Sequence, residues 1–91
     1  MRIKRTATSG SLESSDLFVE VSPNEATIDV SIDSVVKRQF GDQIEFSIRE
    51  VAQKLGVKNA KIYVSDRGAL DCTIRARVES AILRAGEEQL Q

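Results

Sequence analysis

Ninety-one residues and 10.0 kDa make one domain, which buries roughly 60–68% of its unfolded surface and so holds a modest core. A chain 41% hydrophobic and 30% charged, with no apolar run near the ~20 residues of a membrane span, reads as a soluble globular protein and not a disordered or membrane-spanning one. Thirteen basic against fourteen acidic residues leave a net charge of −1, which argues against binding to nucleic acid or an anionic membrane, since both need clustered positive charge.

In chain order, the basic start Met1-Arg2-Ile3-Lys4-Arg5 is followed by no apolar stretch, so no secretory signal is expected. Residues 1–13 are expected to be partly flexible. Within them, Thr6 to Leu12 reads as an edge strand, and Glu13-Ser14-Ser15-Asp16 as a turn. Leu17-Phe18-Val19-Glu20-Val21 is β-branched and aromatic, a strand, and Ser22-Pro23-Asn24-Glu25 is a turn cluster. Ile28, Val30 and Ile32 alternate with Asp29, Ser31 and Asp33, which marks a strand with one buried face. These segments together suggest an antiparallel meander.

Asp33 or Ser34 is placed to cap the helix that follows. On it Val36, Phe40, Ile44, Ile48, Val51 and Leu55 form a core-facing stripe that Gly56 terminates. Gly41-Asp42 inside the pattern allows a short first turn that restarts at Asp42. Lys61 to Ser65 is a further strand, with Asp66-Arg67-Gly68 as its turn. From Ala69 to Ala85 a short alternation mimics a strand, but Leu70, Ile74, Val78, Ala81, Ile82 and Ala85 keep helical spacing over the whole length. Gly86 to Gln91 is polar and expected to fray. The expected architecture is a single α+β domain over residues 1–91, a small mostly antiparallel sheet with two helices packed on one face.

Chemistry is constrained first by the histidine count, which is zero. Ser-His-Asp and Cys-His catalysis are thereby absent, and one cysteine excludes an internal disulfide and leaves cytoplasmic residence the default. No phosphate-cradling glycine motif occurs, so the chain reads as a carrier or binder more than an enzyme. Serine hydroxyls are the usual attachment point for a phosphopantetheine-type group, and Ser9, Ser11, Ser14 and Ser15 lie near the N-terminus, where loop solubility alone also accounts for them. Asp33-Ser34-Val35 is similar to the Asp-Ser-Leu of conventional all-helical acyl carriers. Ser34 nonetheless leaves a strand and precedes Lys37-Arg38, so a helix cap suits it better. Cys72 has no histidine to activate it and only Arg75 as a nearby cation, and packing in the core or an interface explains it better. Arg75 and Arg77 leave their helix on different sides and read as solvated charges. Phe46, opposite the core stripe, and a weaker Cys72-Ala76-Leu83 stripe suggest a surface for partners.

Leu12-Glu13-Ser14-Ser15-Asp16, Lys37-Arg38-Gln39-Phe40-Gly41-Asp42, and the run Asp66-Arg67-Gly68-Ala69-Leu70-Asp71-Cys72-Thr73-Ile74-Arg75-Ala76-Arg77 resemble the small acyl carrier (gamma) subunit of citrate lyase. The likeness extends from Met1 to about Ala85. It implies a noncatalytic carrier whose modified serine, the one after Leu-Glu, is Ser14. The implied cofactor is 2'-(5''-phosphoribosyl)-3'-dephospho-CoA, joined to that serine through a phosphodiester by a dedicated holo-carrier synthase. Acetyl and citryl thioesters would then pass on this arm between the alpha (transferase) and beta (lyase) subunits. Some members have Gly where this chain has Ser15. Glu13 and Asp16 would either tune docking to a basic partner or serve as ordinary turn residues. Two alternatives stand beside this reading: the acyl carrier subunit of malonate decarboxylase, and a cofactor-free α+β interaction or regulatory module.

Overall fold

Four strands and two helices follow one another as β1 (Ala7–Gly10), β2 (Leu17–Ser22), β3 (Ile28–Ser34), α1 (Lys37–Lys54), β4 (Ala60–Asp66) and α2 (Asp71–Gly86). They are seen in a computed structural model that describes residues 1–34 and 37–86. The strands form one sheet in the order β1-β2-β4-β3. β1 pairs with β2 and β2 with β4 antiparallel, while β3 pairs with β4 in parallel. The sheet is therefore mostly antiparallel, and the fold is α+β.

The meander expected of the first three strands is not what forms. β1 and β2 do make a hairpin, but β4 occupies the place beside β2 and pushes β3 to the far edge. The reason lies in burial. β4 carries Ala60, Ile62, Val64, Ser65 and Asp66 buried and suits the centre, whereas β3 exposes Asp29, Ser31 and Asp33 and only half-buries its apolar residues. Charged side chains on an edge strand discourage pairing with other chains. Placing β3 parallel to β4 requires a crossover, and α1 is that crossover.

The alternating residues Leu17, Val19 and Val21 of β2 and Ile62 and Val64 of β4 point to one face, where they meet Ile44, Ile48, Val51 and Ala52 of α1 and Ile74, Val78, Ala81, Ile82 and Ala85 of α2. α2 packs over β1 and β2, α1 over β3, and the helices pack on each other. α1 runs unbroken through Gly41-Asp42. It ends on Gly56 in the left-handed region (φ 74°), where Gly56 N donates to Gln53 O and Val57 N to Ala52 O, a Schellman closure. Gly86 is the buried last residue of α2, where an added Cβ would meet Arg2 O at 2.8 Å and the Met1 side chain at 2.9 Å, and residues 87–91 lie outside the described part. Near the N-terminus, Ile3 is buried, and Lys4 and Arg5 both donate from the backbone to Ala85 O.

One residue of the expected core-facing stripe, Phe40, and the first residue of the second helical pattern, Leu70, are outside the core. Phe40 is 52% and Leu70 71% exposed. Both sit beyond the end of the sheet, where β3 and β4 stop at Ser34 and Asp66, so no strand remains to cover them. They line a mostly apolar groove of about 360 Å³ together with Ile44, Ala69 and Ile74. Val36, expected at the head of the same stripe, lies outside the described residues.

Candidate functional site

Ser14 stands at the tip of the hairpin loop between β1 and β2, with an exposed side chain. Among the described residues, none donates to or accepts from its hydroxyl. The loop beneath it is closely tied. Gly10 turns the chain with a φ of 85°, and Ser11 N donates to Leu17 O at 3.1 Å. A side chain at Gly10 would meet Leu17 O at 1.9 Å, so only glycine allows the approach. The Ser11 hydroxyl donates to Asp16 Oδ2 at 2.7 Å and accepts from Glu13 N at 3.2 Å. Asp16 N in turn donates to Glu13 O, and Leu17 N to Asp16 Oδ1.

The loop is also joined to the turn between β4 and α2. Ser15 N donates to Arg67 O at 2.8 Å and Arg67 N to Asp16 O at 2.9 Å, which extends the β2–β4 ladder past its last paired residues. Ser15 adopts φ 67°, a left-handed conformation that glycine accepts more readily than serine. From α2, Arg77 Nε and Nη2 donate to Asp16 Oδ1 and Oδ2 at 3.0 and 3.1 Å, a two-pronged ion pair. Arg77 and then Ser11 hold the Asp16 carboxyl at about 2, below its ordinary 3.8. Asp16 is thus engaged within the molecule and is not a free charge for docking.

The remaining candidates separate clearly. Ser9 is buried within β1, and Ser11 is spent on Asp16. Ser34 closes β3, where its hydroxyl donates to the buried Asp66 carboxylate at 2.8 Å. α1 begins beyond residues 35–36, so the cap expected of Asp33 or Ser34 falls at the border of the described residues. Asp66 also accepts from Ala69 N, so one carboxylate fixes the ends of β3 and β4 and the start of the turn to α2. Cys72 is exposed, which removes the core reading and leaves the interface one. Phe46 is 58% exposed, as its place on the wheel required, and Cys72 and Ala76 are exposed beside a half-buried Leu83.

Arg75 and Arg77, expected as solvated charges, keep partial exposure but are both ion-paired. Arg75 pairs with Glu50 of α1 and with Asp71, each at 2.7 Å. The buried Ser47 hydroxyl also donates to Asp71, and these two contacts, Ser47 first, lower the Asp71 pKa. Arg77 reaches the loop, and its partner Asp16 lies 61 residues away in sequence. No spacing rule links residues so far apart, which is why the pair was not visible beforehand.

The family model described as "ACP: Malonate decarboxylase delta subunit (MdcD)" matches residues 4–85 of this chain. A citrate lyase acyl carrier protein of Haemophilus influenzae (strain PittGG) is 48% identical over 90 residues, covering 99% of this chain and 94% of that one. One of Klebsiella pneumoniae is 50% identical over 93 residues, covering 100% and 96%. The chain belongs to the citrate lyase acyl carrier protein family. Its fold is also that of a chain in the crystal structure of a Pseudomonas malonate decarboxylase hetero-tetramer in complex with malonate. That likeness has a TM-score of 0.71 at 20% identity and covers 94% of this chain and 93% of the other. In this member of the citrate lyase acyl carrier family, the Ser14 loop and the Arg75-Ala76-Arg77 run are neighbours in space. One arginine of the run anchors the loop, and the other anchors the helix pair.

Proposed function

We propose that the chain is the acyl carrier subunit of a cytoplasmic citrate lyase complex, with Ser14 as the covalent attachment residue for a phosphoribosyl-dephospho-CoA arm. The observation that carries the reading is an exposed hydroxyl, without hydrogen-bond partner among the described residues, at the tip of a loop whose base is fixed. A bulky arm fits such a position because nothing must be unpacked to admit it. Attachment would join Ser14 Oγ to the sugar-linked phosphorus as a phosphodiester, its proton passing to solvent while the donor's phosphoanhydride bond breaks and its outer phosphates leave. When bound, the arm supplies the thiol that carries acetyl and citryl groups as thioesters between a transferase and a lyase subunit. The protein's own part is to hold the tether's base still while its end ranges between two active sites at high effective concentration.

The malonate decarboxylase carrier remains the second reading, supported by the description of the matching family model and by the shared fold. Identities of 48–50% over nearly the whole chain to proteins named as citrate lyase carriers favour the first. Intact-mass analysis after co-expression with the native modifying enzymes tests the proposal. The expected result is a single increment on the peptide containing Ser14, lost in Ser14→Ala and kept in Ser15→Ala. An increment retained by Ser14→Ala and lost by Ser15→Ala would overturn the assignment. No increment on the wild type under full modification competence would favour a cofactor-free binding module.

A further inference from the structure

The loop that carries Ser14 buries almost nothing of its own. Leu12 is 58% exposed, and Glu13, Ser14 and Ser15 are exposed. Its order therefore rests on polar ties. The bonds among Ser11, Glu13, Asp16 and Leu17 are local to the hairpin and would travel with it if the loop swung. Ser15 N donates to Arg67 O and Arg67 N to Asp16 O, which ties the loop to the neighbouring turn, itself short and exposed at Arg67 and Gly68. Arg77 is different. It projects from a helix whose Ile74, Val78, Ala81 and Ile82 are buried in the core, and it grips Asp16 with two parallel donors. A bidentate arginine–carboxylate pair sets direction as well as distance. Its stem also runs across Gly10, where an added Cβ would lie 3.3 Å from Arg77 Cδ.

Resting on the reading of Ser14 as the attachment residue, we infer that Arg77 is a positioning residue for that attachment, holding the Ser14 loop, through Asp16, in the conformation the modifying enzyme accepts. Arg77 touches neither the hydroxyl nor the arm. It acts by keeping the loop ordered before docking. A protein substrate whose competent conformation is only fractionally populated binds more weakly by that fraction, while the chemistry after binding is unchanged. Release of the loop should therefore appear in KM and not in kcat.

The experiment is steady-state loading of the apo carrier by its native transferase with the coenzyme A-derived donor, comparing Arg77→Ala, Arg77→Lys, Asp16→Asn and Arg75→Ala. Arg77→Ala should raise KM for the carrier about tenfold with kcat within threefold of wild type. Arg77→Lys, which keeps the charge but not the fork, should fall between the two. Asp16→Asn should raise KM as Arg77→Ala does, and it gives the answer if the alanine variant folds poorly. Arg75→Ala cuts the ion pairs to Glu50 and Asp71 on the same helix, and should lower the melting temperature while leaving KM unchanged. Amide exchange at residues 12–15 should quicken in Arg77→Ala and stay at the wild-type rate in Arg75→Ala. Wild-type KM in both Arg77→Ala and Asp16→Asn would overturn the positioning role, as would an equal rise in Arg75→Ala or a loss confined to kcat. Loading of Ser14→Ala at the wild-type rate would instead overturn the attachment reading on which it rests.

Discussion

Arg77 of α2 and Asp16 of the β1–β2 loop meet through two hydrogen bonds of 3.0 and 3.1 Å across 61 residues of sequence. The pair joins an exposed loop to a helix whose inner face is buried. It also gives separate tasks to the two arginines of the Arg-Ala-Arg run: Arg75 ties α2 to α1, and Arg77 ties α2 to the loop.

The pair predicts a particular acid response. A carboxyl held at about 2 in the folded protein and ordinarily at 3.8 binds protons more readily when the pair is broken. Its contribution to stability is therefore fully present above 3.8 and is lost as the pH falls from 3.8 through about 2. The protection of residues 11–17 against amide exchange, corrected for the intrinsic pH dependence of exchange, should fall as the pH drops through that window, ahead of protection in α2. In Asp16→Asn the same segment should exchange faster already at neutral pH and show a weaker dependence there. An identical pH profile in the two proteins would show that Asp16 does not carry the response.

The backbone of the loop predicts opposite effects for two substitutions five residues apart. Gly10→Ala places a Cβ 1.9 Å from Leu17 O in a residue with φ 85°, so the hairpin must open. A loss of about 2 kcal/mol or more in denaturant unfolding is expected. Ser15→Gly instead relieves a left-handed serine and should be neutral or stabilising by up to about 1 kcal/mol. Gly68→Ala is the useful comparison, since φ there is 90° but no atom lies within 4 Å of the added Cβ. It should cost less than Gly10→Ala, and equal costs would mean that strain alone, not the contact with Leu17, makes Gly10 necessary.

The exposed apolar residues predict effects on assembly more than on folding. Phe46→Ser should change stability by no more than about 0.5 kcal/mol, because the ring is already 58% exposed. It should weaken co-purification with the other subunits if that ring is an anchor, an effect of about 2 kcal/mol or more for a hot spot. Wild-type co-purification with unchanged melting would remove Phe46 from the interface. Cys72→Ala, at an exposed position with no activating histidine in the chain, should retain both loading and turnover. Normal loading and assembly without turnover would make Cys72 part of the chemistry.

Much of this protein is legible in local pattern. Alternation at Ile28–Asp33, helical spacing from Ile44 to Leu55, and glycine at position 56 each depend on neighbours within a few residues, and each formed as the pattern required. The turn at Glu13–Asp16 and the outward ring of Phe46 were readable for the same reason. What sequence alone did not decide is long-range. β3 could have joined β2 by a short antiparallel connection, and only competition for the centre of the sheet, won by the more deeply buried β4, sent it to the edge. Phe40 keeps the spacing of the core stripe and Leu70 the spacing of the second helix, yet both are exposed, because periodicity carries no information about where a sheet ends. Asp66, which looked like a turn residue, became a buried junction because Ser34 and the amide of Ala69 arrive to hydrogen-bond its carboxylate. Arg77, which looked solvated, found Asp16 because packing α2 over β1 and β2 carried its side chain to the loop. Hydrophobic periodicity chose the elements; burial and the pairing of charges distant in sequence chose how they meet.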